Sequence, residues 1–237
     1  MRLSTTDRQL ISQRKLTMTE LNSIKHISFD LDGTIIDSFR TIYDATVTSL
    51  RRLQINSPVP EKEFYDRIGL HFIDIFNDLN IPLKNFDEFI SIYKSCYFYF
   101  IDESKVFGGV EETLDILNRK EIKVSLLTTK VQDQADKIID HFNLRKYFSF
   151  VMGRRDGIAN KPSGEPLLFI CKNLNVDPKN TLMTGDTEMD IRCGKDAGAV
   201  TCAAAYGYRS IEILKNEKPD FIIKSIREIK KLVTNYK

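Results

Sequence analysis

Two aspartates stand one residue apart in the segment Asp30-Leu31-Asp32-Gly33-Thr34, which follows an apolar run. At the end of a strand both carboxylates can point into one crevice, and their mutual repulsion is costly unless a cation lies between them. Gly33 permits a sharp turn of the backbone, and Thr34 can satisfy backbone groups in that turn. The alternative is an ordinary acidic turn with a helix cap, because Asp and Gly are common turn residues.

A second acidic segment, Gly185-Asp186-Thr187-Glu188-Met189-Asp190, also follows an apolar run. If a helix starts here, Asp186 and Asp190 can approach each other on one face. Carboxylate oxygens are the ligands that Mg²⁺ uses when it also contacts a phosphate group. The macrodipole at a helix N-terminus would equally favour Glu188 and Asp190, but it accounts less well for Asp186.

Two further segments carry groups that can bind phosphate oxygens. Thr128-Thr129-Lys130 offers hydroxyl and backbone N–H groups at a strand-to-helix turn, although either threonine could simply cap the helix. In Asn160-Lys161-Pro162, Lys161 could neutralise a phosphoryl oxygen and a nearby carboxylate. A lysine before a proline is more often a solvated loop residue, so the significance of Lys161 depends on its place among the four segments.

The elements that must position these segments alternate between strands and helices. Apolar runs predict strands at 25–29, 122–127, 148–152, 181–184, 200–205 and 221–223, and helical spacing predicts helices between them and a last helix from Ser225. This alternation predicts an α/β fold with a Rossmann-like, three-layer parallel sheet core. The carboxyl ends of parallel strands form the ligand crevice of such a sheet, and the four segments fall at the ends of predicted strands.

The stretch 38–104 interrupts the alternation, because it carries helical patterns, three prolines and several aromatic residues but no clear strand. We expect an inserted α-helical domain at 38–104 and a core formed by 24–37 and 105–237. The first 23 residues are polar and lack the apolar centre of a secretory signal. We expect this N-terminal extension, 1–23, to be a solvated helix or tail.

The overall composition excludes several classes of function. The 35 basic and 33 acidic residues nearly balance, which gives no electrostatic case for nucleic acid or an anionic membrane as partner. No apolar stretch is long enough for a transmembrane helix. The four cysteines are scattered without a CxxC pair, which favours buried thiols over a disulfide framework or a zinc site. We expect a cytoplasmic protein that is a monomer or a homodimer.

In their order along the chain, the four segments resemble the four motifs of the haloacid dehalogenase superfamily, with its C1-type helical cap between the first and the second. The nearest look-alikes are phosphoglycolate phosphatases and related small phosphatases. Asp37-Ser38, Gly109-Val110 and Gly194-Lys195-Asp196-Ala197-Gly198 also fit that branch. The resemblance runs from residue 25 to about residue 207. It is specific for the superfamily, but it constrains the substrate only weakly.

The resemblance implies a Mg²⁺-dependent phosphatase that acts on a small phosphomonoester through an aspartyl phosphate. Asp30 would attack phosphorus, and Asp32 would protonate the leaving oxygen and then take a proton from the attacking water. The carboxylates of Asp30 and Asp186 and the backbone carbonyl of Asp32 would hold Mg²⁺. Asp190 would support the ion through water or through Lys161.

The same resemblance assigns the phosphoryl oxygens to Thr128, to the N–H of Thr129 and to Lys161. The chain departs from the family pattern at Thr129, where Asn is common, and at Gly164, which interrupts a proline-rich stretch. Neither change removes a charged group, so the departures bear on the positioning of the Lys161 loop. His71 falls where the cap's specificity loop would lie, and it is a candidate substrate contact or a surface histidine.

Several alternatives stay open within this resemblance. Asp32 argues against a dehalogenase, which lacks a carboxylate at that position. A phosphonatase would need a cap lysine for a Schiff base, and nothing distinguishes Lys62 or Lys84 for that role. An inorganic pyrophosphatase is a serious rival, and a β-phosphoglucomutase-like mutase would keep all four motifs, although Gly33-Thr34 favours a phosphatase. A non-catalytic binding module would be expected to have lost a charged catalytic residue, and none is missing.

Overall fold

The computed structural model describes residues 23–234, which form two compact units. One unit comprises residues 23–35 and 107–234, and the other comprises Ile36–Val106. Apart from Ser23, the predicted N-terminal extension lies outside the described residues. Within residues 23–234, no helix combines the length and the apolar character that crossing a membrane requires.

The described residues form eight strands and ten α-helices, which are divided between the two units. In chain order the strands are β1 (His26–Phe29), β2 (Ile36–Asp37), β3 (Lys105–Val106), β4 (Lys123–Val131), β5 (Phe150–Arg154), β6 (Thr181–Gly185), β7 (Val200–Ala204) and β8 (Phe221–Ile223). The α-helices are α1 (Phe39–Arg52), α2 (Glu61–Tyr65), α3 (Phe72–Asp78), α4 (Phe86–Tyr99), α5 (Val110–Arg119), α6 (Gln132–His141), α7 (Glu165–Leu174), α8 (Glu188–Asp196), α9 (Ile211–Asn216) and α10 (Ile229–Thr234).

The larger unit is built on a parallel sheet. Six strands form this sheet in the order β5-β4-β1-β6-β7-β8, and all neighbouring pairs are parallel. The predicted Rossmann-like α/β fold is confirmed.

The central strand β1 is buried along its whole length, yet two of its four residues are polar. His26 Nδ1 lies 3.1 Å from Thr181 Oγ1, and His26 Nε2 lies 2.8 Å from Ser125 Oγ. Ser125 Oγ in turn donates to Ser28 Oγ at 3.0 Å. These hydrogen bonds explain why the sheet tolerates polar groups at its centre. Burial, followed by the positive charge of Lys123, lowers the pKa of His26 to about 4.

The strand β4 continues further than its apolar run. The prediction that it ends at Leu127 is wrong, because the strand extends to Val131. Its pairing with β5 shifts register between Leu127 and Val131, so the polar residues 128–130 lie in an irregular part of the strand. Hydrophobic periodicity stops where the register shifts, although the backbone stays extended. Val131 occupies the N-cap position of α6, so neither Thr128 nor Thr129 caps that helix.

The smaller unit, Ile36–Val106, contains α1 to α4 and an antiparallel pair formed by β2 and β3. Aromatic side chains pack edge to face at its centre. The ring centroid of Phe72 lies 4.6 Å from that of Tyr93 and 5.2 Å from that of Phe89, and Phe76 lies 4.8 Å from Phe89. Contacts of this geometry add to the free energy of burying the rings. The unit therefore has a hydrophobic core of its own.

Candidate active site

The strand order brings the predicted segments to one edge of the parallel sheet. β1 lies between β4 and β6, and the three strands run in the same direction. Asp30 follows β1 directly, Asp186 follows β6, and Thr128 lies near the carboxyl end of β4. Asp30 N donates to Thr184 O at 2.9 Å, which fixes the start of the first acidic loop against β6. The carboxyl edge of the sheet is the expected place for a ligand crevice.

Three buried aspartates meet at this edge. Asp30, Asp186 and Asp190 each offer a carboxylate oxygen, and these atoms lie within 4.8 Å of one another. Burial raises the pKa of Asp30 to about 7, against the opposing effect of Lys161, and the charges of Asp190 and Asp32 act in the same direction as burial. Burial, then the charges of Asp30 and Asp190, raise the pKa of Asp186 well above its usual range. Crowded, desolvated carboxylates of this kind fit a divalent cation, which prefers hard oxygen ligands.

Lys161 lies inside the cluster of aspartates. The alternative that it is a solvated loop residue is therefore excluded. Its Nζ donates to Asp30 Oδ1 at 2.7 Å, to Asp190 Oδ1 at 2.5 Å and to Leu127 O at 3.2 Å. Burial alone would lower the pKa of Lys161, but the charges of Asp190 and Asp30 outweigh it and raise that pKa. The lysine is therefore a fixed cation beside Asp30.

Gly164 lies in the loop that carries Lys161 and allows this loop to pack against α8. Gly164 N donates to Asp196 Oδ2 at 2.6 Å, and a Cβ on Gly164 would lie 2.4 Å from Ala197 N. The loop therefore packs closely against the end of α8, which only a glycine allows. The peptide bond between Lys161 and Pro162 is cis.

Asp190 both caps α8 and contacts Lys161, the two roles that its place in the sequence suggested. Its Oδ2 accepts hydrogen bonds from Thr187 N at 3.0 Å and from Thr187 Oγ1 at 2.7 Å, and the first of these belongs to a capping box at the start of α8. Its Oδ1 accepts from Lys161. The helix cap thus orients the carboxylate towards the lysine.

Asp186 is held by groups from two loops, one that follows β1 and one that follows β7. Thr34 Oγ1 donates to Asp186 Oδ1 at 3.0 Å, and Tyr208 N donates to Asp186 Oδ2 at 2.8 Å. Thr34 was expected to satisfy backbone groups, and it contacts this carboxylate instead. A Cβ on Gly207 would lie 2.3 Å from Asp186 Cβ, and a Cβ on Gly33 would lie 2.3 Å from Asp186 Oδ2. Sequence reasoning missed Gly207 and Tyr208, although their loop follows β7, the neighbour of β6.

Asp32 does not belong to the cluster of three aspartates. Its Oδ2 lies 3.1 Å from Lys130 Nζ. Lys130 belongs to the predicted phosphate-binding segment, but the family resemblance predicts no role for its side chain. Its position directly after two threonines near a strand end is the signal that could have identified it.

The predicted phosphate-binding residues line one small crevice. Thr128, Thr129 and Lys161 contribute to its walls, together with Asn160. Thr128 is buried, and its Oγ1 accepts a hydrogen bond from Lys130 N at 3.3 Å. Because Lys161 also contacts Asp30 and Asp190, the larger unit brings all four segments together.

His71 belongs to the other unit. It is half-buried and occupies the N-cap position of α3, so it precedes the helix. Its role as a substrate contact stays a prediction.

Comparison with known proteins assigns the family. Residues 27–204 match the family model described as haloacid dehalogenase-like hydrolase. A protein of Clostridium perfringens, provisionally named pyrophosphatase PpaX, is 33% identical over 211 residues, which cover 89% of this chain and 97% of the relative. Phosphoglycolate phosphatase of Aquifex aeolicus is 29% identical over 225 residues, with coverage of 89% and 97%.

The fold gives the same result. The crystal structure of a predicted phosphoglycolate phosphatase from Haemophilus somnus matches with a TM-score of 0.78 and 25% identity, covering 90% of this chain and 99% of that one. The resemblance stated from the four motifs is thereby confirmed. The chain belongs to the haloacid dehalogenase-like hydrolases and is a phosphatase of that family.

Proposed function

We propose that this phosphatase uses Mg²⁺ to hydrolyse a small phosphomonoester of the phosphoglycolate type, through an aspartyl phosphate formed on Asp30. The observation that carries the proposal is the buried contact of 2.7 Å between Lys161 Nζ and Asp30 Oδ1 at the carboxyl edge of the sheet. A nucleophilic carboxylate needs a neighbouring cation when it approaches a negatively charged phosphoryl group. The name of the Aquifex relative supports the substrate class.

The chain's own residues account for both chemical steps. Asp30 attacks phosphorus while the bond to the leaving oxygen breaks, and Asp32 gives that oxygen a proton. Asp32 then takes a proton from the water that attacks the aspartyl phosphate, which releases inorganic phosphate and restores Asp30. Thr128, the N–H of Thr129 and Lys161 bind the phosphoryl oxygens, because this chemistry depends on positioning and charge neutralisation.

The proposed metal ligands are the carboxylates of Asp30 and Asp186 and the backbone carbonyl of Asp32, with Asp190 in support through Lys161. Bound Mg²⁺ would supply charge neutralisation at the phosphoryl group. The pKa values of Asp30 and Asp186 are raised because burial and neighbouring negative charges disfavour their charged forms. A bound cation would offset this effect and keep both carboxylates charged, which supports the assignment.

Hydrolysis of inorganic pyrophosphate is the second candidate. The relatives from Clostridium perfringens and Oceanobacillus iheyensis carry the name pyrophosphatase PpaX. The helical unit Ile36–Val106 is the proposed source of substrate selectivity, with His71 as a candidate contact, and both assignments follow from the resemblance.

Substitution of the nucleophile tests the proposal. Asp30→Asn should lower Mg²⁺-dependent hydrolysis of an aryl phosphate by about a thousandfold or more while the chain stays folded. Asp115→Asn is the matched control, because Asp115 is an exposed carboxylate on α5 that pairs with Arg119. Full activity of Asp30→Asn would refute the nucleophile.

A substrate screen tests the class. We expect wild-type protein to turn over 2-phosphoglycolate or pyrophosphate with a higher kcat/KM than sugar phosphates. Absence of turnover for every phosphate ester in the presence of Mg²⁺ would refute the proposed function itself.

A further inference from the structure

The site contains two lysines whose ammonium groups contact different aspartates. Lys161 Nζ contacts Asp30 and Asp190, the carboxylates on the phosphoryl side of the proposed reaction. Lys130 Nζ contacts Asp32, the proposed acid for the leaving oxygen, at 3.1 Å. Lys161 takes part in the proposed reaction by binding a phosphoryl oxygen, whereas Lys130 has no role in either proposed step.

The contact between Lys130 and Asp32 is shielded from solvent. The two side chains are 9% and 12% exposed, so little water screens their charges. The backbone around Lys130 is held on both sides, because Lys130 N donates to Thr128 Oγ1 and the next residue, Val131, pairs with Arg154 of β5. A lysine held in this way presents its charge at a defined position, unlike a surface lysine.

That position is close to the leaving group. A general acid must lie about 2.6–3.2 Å from the oxygen that it protonates. If Asp32 Oδ2 contacts both Lys130 Nζ and the leaving oxygen, the leaving oxygen lies within roughly 6 Å of Nζ, because that is the sum of the two contact distances. Atoms one or two bonds beyond this oxygen belong to the leaving group, and they come within reach of the ammonium.

We propose that Lys130 is a specificity-determining residue that binds negative charge on the leaving group. In 2-phosphoglycolate the carboxylate carbon is two bonds from the ester oxygen, and in pyrophosphate the second phosphorus is bonded to that oxygen directly. Sugar phosphates have neutral leaving groups. Lys130 thus selects for the property that the two candidate substrates share, an inference that rests on the proposed function and on Asp32 as the acid.

A pair of matched substrates tests Lys130. The value of kcat/KM is measured for 2-phosphoglycolate and for 2-hydroxyethyl phosphate. Their leaving groups have the same length, but one carries a carboxylate and the other a neutral alcohol. We expect the wild-type enzyme to prefer 2-phosphoglycolate. In Lys130→Met this ratio of kcat/KM values should fall roughly 10- to 100-fold, the value of one hydrogen bond to a charged group. A loss through a loosened Asp32 affects both substrates and cancels in the ratio.

Two variants make the result specific. Lys130→Arg keeps the charge, so it should retain most of the preference. Lys137→Met removes an exposed lysine from α6 and should leave the ratio unchanged. Pyrophosphate and methyl phosphate provide a second pair if 2-phosphoglycolate is a poor substrate. Because these two compounds differ in intrinsic reactivity, only the change in their ratio from wild type to Lys130→Met is informative.

The outcomes separate this inference from the proposed function. An unchanged ratio in folded Lys130→Met, or a wild-type enzyme without preference for the anionic leaving group, would overturn the role of Lys130 while leaving the phosphatase intact. If Lys130→Met does not fold, Lys130→Gln, which also removes the charge but keeps a polar side chain beside Asp32, takes its place, and an unchanged ratio in that variant would overturn the role of Lys130 in the same way. A wild-type enzyme that hydrolyses none of the four phosphate compounds would refute the proposed function instead.

Discussion

Gly185 and Asp190 lie so close together that a side chain on the glycine would overlap the carboxylate. A Cβ built on Gly185 would lie 2.1 Å from Asp190 Cγ. Gly185 ends β6, and Asp190 is the third residue of α8. The missing side chain therefore lets the first turn of the helix approach the strand, which brings Asp190 to Lys161.

Gly185→Ala should displace Asp190 and weaken its contact with Lys161. We expect a loss of about 1–3 kcal/mol in the free energy of unfolding, as for other overpacked sites, together with a large loss of kcat. Gly108→Ala is the control, because the nearest heavy atom to a Cβ there is 3.8 Å away. Urea unfolding and hydrolysis assays measure both effects. Equal stability and activity of the two variants would contradict the packing argument.

Lys161→Met should destabilise the protein as well as inactivate it. The substitution leaves the buried carboxylates of Asp30 and Asp190 without their ammonium partner, and breaking a buried ion pair costs about 3–5 kcal/mol. Lys120→Met, at an exposed position after α5, is the control. A stability of Lys161→Met equal to that of Lys120→Met in urea would show that the pair contributes nothing.

Mg²⁺ should stabilise the folded protein, because it relieves repulsion among Asp30, Asp186 and Asp190. An ion present at 100 times its Kd adds about 2.7 kcal/mol to the free energy of unfolding. Thermal unfolding should therefore give a higher Tm in Mg²⁺ than in EDTA. Asp186→Asn should reduce this shift, and the exposed-site variant Asp115→Asn should keep it. A Tm that does not respond to Mg²⁺ would argue against the metal site.

His26 should make stability depend on pH. Its pKa falls from 6.5 to about 4 on folding, so between these values the unfolded chain binds a proton that the native protein does not. The contribution of His26 is complete above pH 6.5 and is lost as the pH falls to 4, a change of about 3 kcal/mol. His26→Gln should flatten the curve of unfolding free energy against pH in this window. His141→Gln, at an exposed position, should leave the curve as in wild type, and a wild-type slope in His26→Gln would refute the assignment.

Much of the fold and of the site could be predicted from local patterns. Buried parallel strands appear as apolar runs, so β1 and β6 were located to within a residue or two, and the charged segments after them were visible as exceptions to those runs. The rule that parallel strands end at one edge then sufficed to group Asp30 with Asp186. The irregular end of β4 escaped prediction, because a register shift depends on the partner strand.

The sequence by itself determined the types of chemical group at the site and the strands that carry them. Only the tertiary structure decided which groups touch. Tyr208 contacts Asp186 through a backbone N–H, a group that nearly every residue has and that leaves no sequence signal. Lys130 contacts Asp32, and Lys161 contacts Asp30, across loops far apart in the chain. These pairings follow from strand order and register, which are set by packing of the whole sheet and not by any single segment.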